Sequence, residues 1–141
     1  MAYVGDTGQG ATLTLATTGA VGCVRTMQLP EWAMEKVDAS CLETTGFMRY
    51  VPGDLTDPGE IVATVVFDAS VAIPEGGVVG AVTGQFPIGD PAHTVNATLA
   101  GTGFISTRSL PNMATNELME MTLTIPFDGD TGPDFTPEAA A

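Results

Sequence analysis

Apolar and polar residues alternate with a period of two along much of this chain, the pattern of strands with one face on a core and the other toward water. Residues 11–16, Ala-Thr-Leu-Thr-Leu-Ala, set Leu13 and Leu15 against Thr12 and Thr14 and predict a first strand. Met119, Met121, Leu123, Ile125 and Phe127 alternate with Glu120, Thr122, Thr124 and Pro126 and predict the last one. Between them, Ile61 to Phe67 is a near-continuous β-branched run, which predicts a strand covered on both faces. A weaker strand is expected from Val78 to about Ile88, ended by Gly89-Asp90-Pro91. Val95, Ala97 and Leu99 share a face opposite Asn96 and Thr98, and Gly101 and Gly103 predict a bulge or bend before Phe104-Ile105, giving a long strand or a bent pair.

Two further runs, 22–29 and 34–41, flank Pro30-Glu31-Trp32-Ala33 and read as a hairpin with its proline confined to the connection. That pairing sets Cys23 opposite Ser40 or Cys41, and one residue of register decides whether the thiols meet. Without Cys-x-x-Cys or Cys/His spacing, the default is two small, buried, reduced thiols. Residues 42–60 differ in kind. Pro52-Gly53 and Asp57-Pro58-Gly59 punctuate a short run from Phe47 to Val51, which predicts a long, contact-making loop. The best short helix is Ala114 to Leu118, and there is neither an internal repeat nor a coiled-coil heptad. The fold class implied is all-β or mainly β. It is a single-domain β-sandwich or barrel over residues 1–127, with an N-terminal arm at 1–10 and at most a short helix. An acidic, Gly/Pro-rich tail at 128–141 follows, expected to be mobile unless a neighbour captures it.

Composition narrows the function classes. The 141 residues suffice for one cored domain, and 44% apolar against 15% charged is too hydrophobic for disorder. Seventeen acids face only Arg25, Lys36, Arg49 and Arg108, a formal charge of −13. Attraction to nucleic acid comes from cations that displace counterions from phosphates, and four scattered ones make no basic patch. Met1 to Asp6 carry neither the basic region nor the apolar run of a secretory signal, and no stretch reaches the ~18 apolar residues of a membrane span. The expectation is a chain made in the cytoplasm.

Candidate chemistry is sparse. The sole histidine, His93, sits beside a proline turn with no nucleophile in pattern with it. Gly5 to Gly10 is glycine-rich like a phosphate loop, but no Gly-Lys-Ser/Thr follows and the next element is a strand rather than a helix. Asp128, Asp130 and Asp134 approach a calcium loop, yet Gly132 falls where a ligand belongs and Pro133 where the turn glycine does. Asn96-Ala97-Thr98 is a glycosylation sequon by letter, in a segment that reads as an ordinary strand. No cofactor, metal or enzymatic activity is expected.

Several segments, in order, resemble the tail tube (major tail) proteins of long-tailed bacteriophages and of gene transfer agents. Gly5-Asp6-Thr7-Gly8-Gln9-Gly10 leads into the first strand, and Leu99 to Pro111 with Asn116 to Met119 looks like the closing strands. The most distinctive block is Lys36 to Glu60, where a strand with an Asp and small polar residues runs into an aromatic/Arg stretch, a Pro-Gly, and Asp57-Pro58-Gly59-Glu60 before the β-branched strand. The matches cover most of the chain and depart at 69–92, where many relatives carry a helix. The resemblance implies a β-sandwich that forms hexameric rings stacked into the conduit for DNA ejection. Self-association is then the main contact, with tape-measure, tail terminator and distal tail proteins as further partners. DNA would pass the lumen without specific binding, and the acidity would repel it from the wall. The location implied is a virion tail or gene transfer agent particle, and the host cytoplasm during assembly, with no membrane. Thr45, Phe47, Arg49, Tyr50, Asp54 and Asp57 become candidates for a ring-stacking loop. Two other readings compete: an independent immunoglobulin-like binding or adhesion module, which would stay monomeric, and the inner tube of a contractile secretion system.

Overall fold

The computed structural model describes residues 9–16, 19–20, 23–70 and 72–140. The strands are β1 (Thr12–Leu15), β2 (Gly19–Ala20), β3 (Val24–Gln28), β4 (Ala33–Asp38), β5 (Tyr50–Asp57) and β6 (Glu60–Val66). They continue with β7 (Gly80–Gln85), β8 (Thr98–Gly103), β9 (Thr107–Ser109), β10 (Glu120–Pro126) and β11 (Asp134–Thr136). All pairings among the described residues are antiparallel. One sheet has the order β11-β8-β7-β1-β2, a second β3-β6-β10-β9, and β4 and β5 form a separate ribbon. The all-β expectation holds, as a sandwich of open sheets rather than a closed barrel.

Period-two alternation builds the core. Pairing of β6 with β10 sets Leu123 opposite Ala63 and Ile125 opposite Ile61, so both strands turn the same set inward. Leu13, Leu15, Val82 and Leu99 from the first sheet meet Ile61, Val65 and Leu123 from the second in one cluster. Full burial of a side chain such as Leu123 or Ile125 stabilises by about 1.5–3 kcal/mol relative to exposure. The opposite face of β6, Val62, Thr64 and Val66, is only half-buried, so the strand is not covered on both faces as its β-branched run predicts. β-Branching suits a pleated surface whatever lies over it.

The expected hairpin of 22–29 with 34–41 does not form. β3 pairs with β6 and β4 with β5, so the segment from 24 to 66 is one long ribbon, bent at Leu29 to Trp32 on one strand and Pro58-Gly59 on the other. The physical reason is the partner on offer. β6 gives Val24 and Met27 the buried neighbours Val65 and Ala63, which the charged β4 cannot. At the bend, Gly59 has φ +75°, and a Cβ there would lie 2.7 Å from Pro30 Cβ and 2.8 Å from the Glu31 carbonyl oxygen. Only glycine lets the strands pass this closely in that conformation. The thiols are accordingly far apart in the topology. Cys23 lies at the base, where its carbonyl accepts from Val66 N, and Cys41 lies at the tip; both are free and exposed, not buried.

Two other expectations change, the short helix and the mobile tail, and 93–108 takes the second of its two expected forms. Residues 114–118 form a turn rather than a helix, with Asn116 in the left-handed region at φ 63°, and no helix occurs among the described residues of 69–92. The stretch 93–108 is a bent pair that changes sheets: after β8, Ser106 N donates to Thr124 O and β9 joins β10. The tail is captured by its own domain. β11 pairs with β8, Ala139 bridges Val95, and Phe135 packs edge-on against Phe86 at 5.6 Å. The arm at 1–10 lies outside the described residues except for Gln9 and Gly10.

The bend makes a measurable demand. Gly46 at the ribbon tip also has positive φ, but a Cβ there meets nothing within 4 Å. Gly46→Ala carries only the left-handed backbone cost, about 1 kcal/mol, whereas Gly59→Ala adds the clash and costs at least about 2 kcal/mol. Urea unfolding should rank Gly59→Ala clearly below Gly46→Ala; equal midpoints would show that close approach does not set the bend.

Candidate functional site

The β4-β5 ribbon projects from the sandwich with every residue from Glu31 to Leu42 exposed. Its register runs Ala33↔Asp57, Met34↔Thr56, then Lys36↔Pro52, Val37↔Val51 and Asp38↔Tyr50. Three residues, Gly53 to Leu55, therefore face the single Glu35, forming a bulge. Gly53 permits it, since a Cβ would lie 2.8 Å from the Glu35 carbonyl oxygen. The bulge pushes Leu55 into solvent at 83% exposure. Met34 and Val37 point to opposite faces of β4, so the ribbon carries apolar groups on both.

The tip, residues 39–49, is ordered by its own polar groups. Ala39 N donates to Arg49 O at 2.9 Å, Arg49 N to Ser40 Oγ at 2.8 Å, and Ser40 N to Asp38 Oδ1 at 2.8 Å. The Ser40 amide and hydroxyl together hold the Asp38 carboxyl below the usual carboxylate range. Cys41 N donates to Thr44 Oγ1 at 2.9 Å, and the Thr44 hydroxyl lowers the Cys41 thiol. Lys36 Nζ sits 4.4 Å from the centre of the Tyr50 ring, whose hydroxyl donates to Met48 Sδ. Polar pairing thus stays within the tip, while Leu42 and Phe47 stand fully in solvent at 106% and 93% exposure.

The six residues expected to make contacts divide by position. Thr45, Phe47 and Arg49 lie in the tip and Tyr50 opens β5. Asp54 rides on the bulge, and Asp57 sits at the foot, where its Oδ1 accepts from Gly59 N at 2.9 Å and supports the bend. Half of the expected 42–60 loop is therefore strand. The residues missed are Trp32, Met34, Val37 and Leu55, all exposed large apolar groups. For the first three the signal was the want of a single apolar face in 32–37, which an element buried on one side would show.

Elsewhere the chemistry is structural. His93 Nδ1 lies 3.0 Å from Glu138 Oε1, and the same carboxylate accepts from Gly89 N and Asp90 N at 3.0 and 3.1 Å. Those contacts clasp the tail. Asp128 accepts from the Thr102 hydroxyl and from Asp130 N, and no group of three or more potential metal ligands gathers among the described residues. A groove of about 680 Å³ opens between the sheets, with Val24, Met27, Leu29 and Phe86 in its wall and only Arg25 as a charged group. No family model matches this chain, and no curated protein matches it.

The clasp predicts a pH response. The Gly89 amide first, then His93, hold the Glu138 carboxyl below its ordinary value, so its contribution is present above the unfolded Glu range and lost as pH falls through the lowered folded value. Amides of 134–139 should be protected at neutral pH and lose protection in acid ahead of β10, and Glu138→Ala should release them at neutral pH. Equal acid sensitivity of wild type and Glu138→Ala would contradict the clasp.

Proposed function

We propose that this protein is a non-enzymatic structural subunit of a phage-type tail tube, assembling as stacked hexameric rings that form a conduit for DNA ejection. The observation that carries the reading is the ribbon. A two-stranded antiparallel element is marginal alone in water, and this one exposes Phe47, Leu55, Met34 and Val37 beside two strand edges that have no partner strand among the described residues. Apolar surface of this kind marks a place where another chain sits. Val37, Phe47 and Leu55 lie within Lys36 to Glu60, the block most like the tail tube proteins, and a second copy of the chain is the partner the reading assigns to this surface. Tape-measure, terminator and distal tail proteins would meet the tube at its ends, in a virion tail or gene transfer agent particle. An independent binding module has no comparable need for a long two-faced ribbon.

Purified protein at high concentration should form tubes in negative-stain micrographs and elute as a large species. Phe47→Asp/Leu55→Asp should stay monomeric while its unfolding free energy remains within about 1 kcal/mol of wild type, since neither side chain is packed in the monomer. A wild-type chain that stays monomeric at all concentrations, or a double variant that still builds full-length tubes, would overturn the proposal.

A further inference from the structure

The groove between the sheets and the tip of the ribbon match in polarity and charge. The groove, about 680 Å³, opens between β3 on one sheet and the adjoining ends of β1 and β7 on the other, where Thr12 pairs with Gln85. Val24, Met27, Leu29 and Phe86 in its wall pack on the core yet stay half-buried, so each keeps apolar surface to be covered. Sites that bury most of a small guest span roughly 300–1,000 Å³, and this one falls among them. Arg25 is the one charged residue lining it among the described residues. Its Nη1 donates to Glu120 Oε1 at 2.9 Å, which uses one of the five donors of a guanidinium and leaves others for a second carboxylate.

The tip offers the complement. Leu42 and Phe47 stand in solvent, and Glu43 is the single charged residue from 42 to 48. Hydrogen bonds of Ser40, Arg49 and Thr44 shape the tip before any partner arrives, which lowers the entropy cost of docking. The tip does not serve the groove of its own chain. The six residues of β4 hold it ~20 Å beyond the bend at a strand's rise per residue, and every residue from Glu31 to Leu42 is exposed rather than folded back.

We infer that the groove between β3 and the ends of β1 and β7 receives the ribbon tip of a second copy, with Leu42 and Phe47 against its apolar wall and Glu43 meeting Arg25. This rests on the tube reading and names the surface that the ribbon grips. Tip and groove are different parts of the chain, so the contact is head-to-tail. A copy docked through its tip still offers its groove to the next, and association does not stop at a dimer. The apolar ribbon tip and the half-covered groove then answer one another, each supplying what the other lacks in the monomer.

The test places the photoreactive residue benzoylphenylalanine at Phe47, which keeps an aromatic group there, and irradiates associated protein mixed from isotopically light and heavy copies. Products between copies should map to residues 24–29 or 85–87. The same probe at Thr26, in the groove lining, should capture residues 42–48 of the other copy. Phe47 products confined to another ribbon tip or to residues 110–118 would overturn the inference and leave the tube reading standing. Capture of residues 1–8 by the Thr26 probe would assign the groove to that segment and overturn it equally. Glu43→Gln and Arg25→Gln should each raise the concentration of half-association at least about threefold, and the double variant no further than either alone. Additive losses, or no loss, would overturn the pairing, and this cycle decides where a probe itself blocks association. A wild type that stays monomeric is a separate outcome, which removes the tube reading and this inference with it.

Discussion

Pairing of β6 with β10 over seven residues is the constraint from which the other features follow. It fixes which side chains of both strands turn inward, and a shift of one residue would send Ile61, Ala63 and Val65 to solvent together. It also leaves the other edge of β6 to β3, whose Val24 and Met27 complete the core cluster. Once β3 and β6 are held in that register, the chain leaving one and entering the other must run beyond the sandwich as a pair. The ribbon is the geometric consequence of a core strand whose hairpin partner outlasts the core.

That geometry explains why the most exposed apolar groups gather in one segment. The bend at Gly59 carries β4 and β5 away from the sheet that could have covered them, and the bulge at Gly53 turns Leu55 outward. Internal hydrogen bonds at the tip, such as Arg49 N to Ser40 Oγ, keep it shaped without covering its apolar groups. An element ordered in this way loses less conformational freedom on docking than a floppy loop would. The tail shows the opposite design, since Phe135 and Glu138 settle on their own domain.

Much of the fold was legible because burial on one face writes period two into the sequence. Leu13 and Leu15, and Met121 through Phe127, read directly as core and are core. Pairing partners were not legible, since local spacing around Pro30 marks a turn but not whether the chain reverses there. Hence β3 and β4 looked like a hairpin although the stronger partner of β3, β6, lies over thirty residues on. Val95 shared the alternation of Ala97 and Leu99 yet is exposed, because it pairs with Ala139 in the tail rather than entering the core. The segment 42–60 stood out through its turn residues, which mark a departure from the sheet but cannot tell a loop from a bulged strand. Trp32 was missed because it lies in the connection after Pro30, and Met34 and Val37 because they lie just before that segment, in a run that resembled half of a hairpin.

Completion of the ribbon by another copy of the chain is the proposed basis of assembly. Hydrogen exchange resolved by segment, in dilute protein and in the concentrated, associated state, measures this directly. Fast exchange is expected across Ala33–Asp38 and Tyr50–Asp57 in the dilute protein, with strong protection of both after association and unchanged protection in Glu60–Val66 and Glu120–Pro126. Ribbon amides already as protected as β6 and β10 in the dilute monomer, or still unprotected after association, would contradict it.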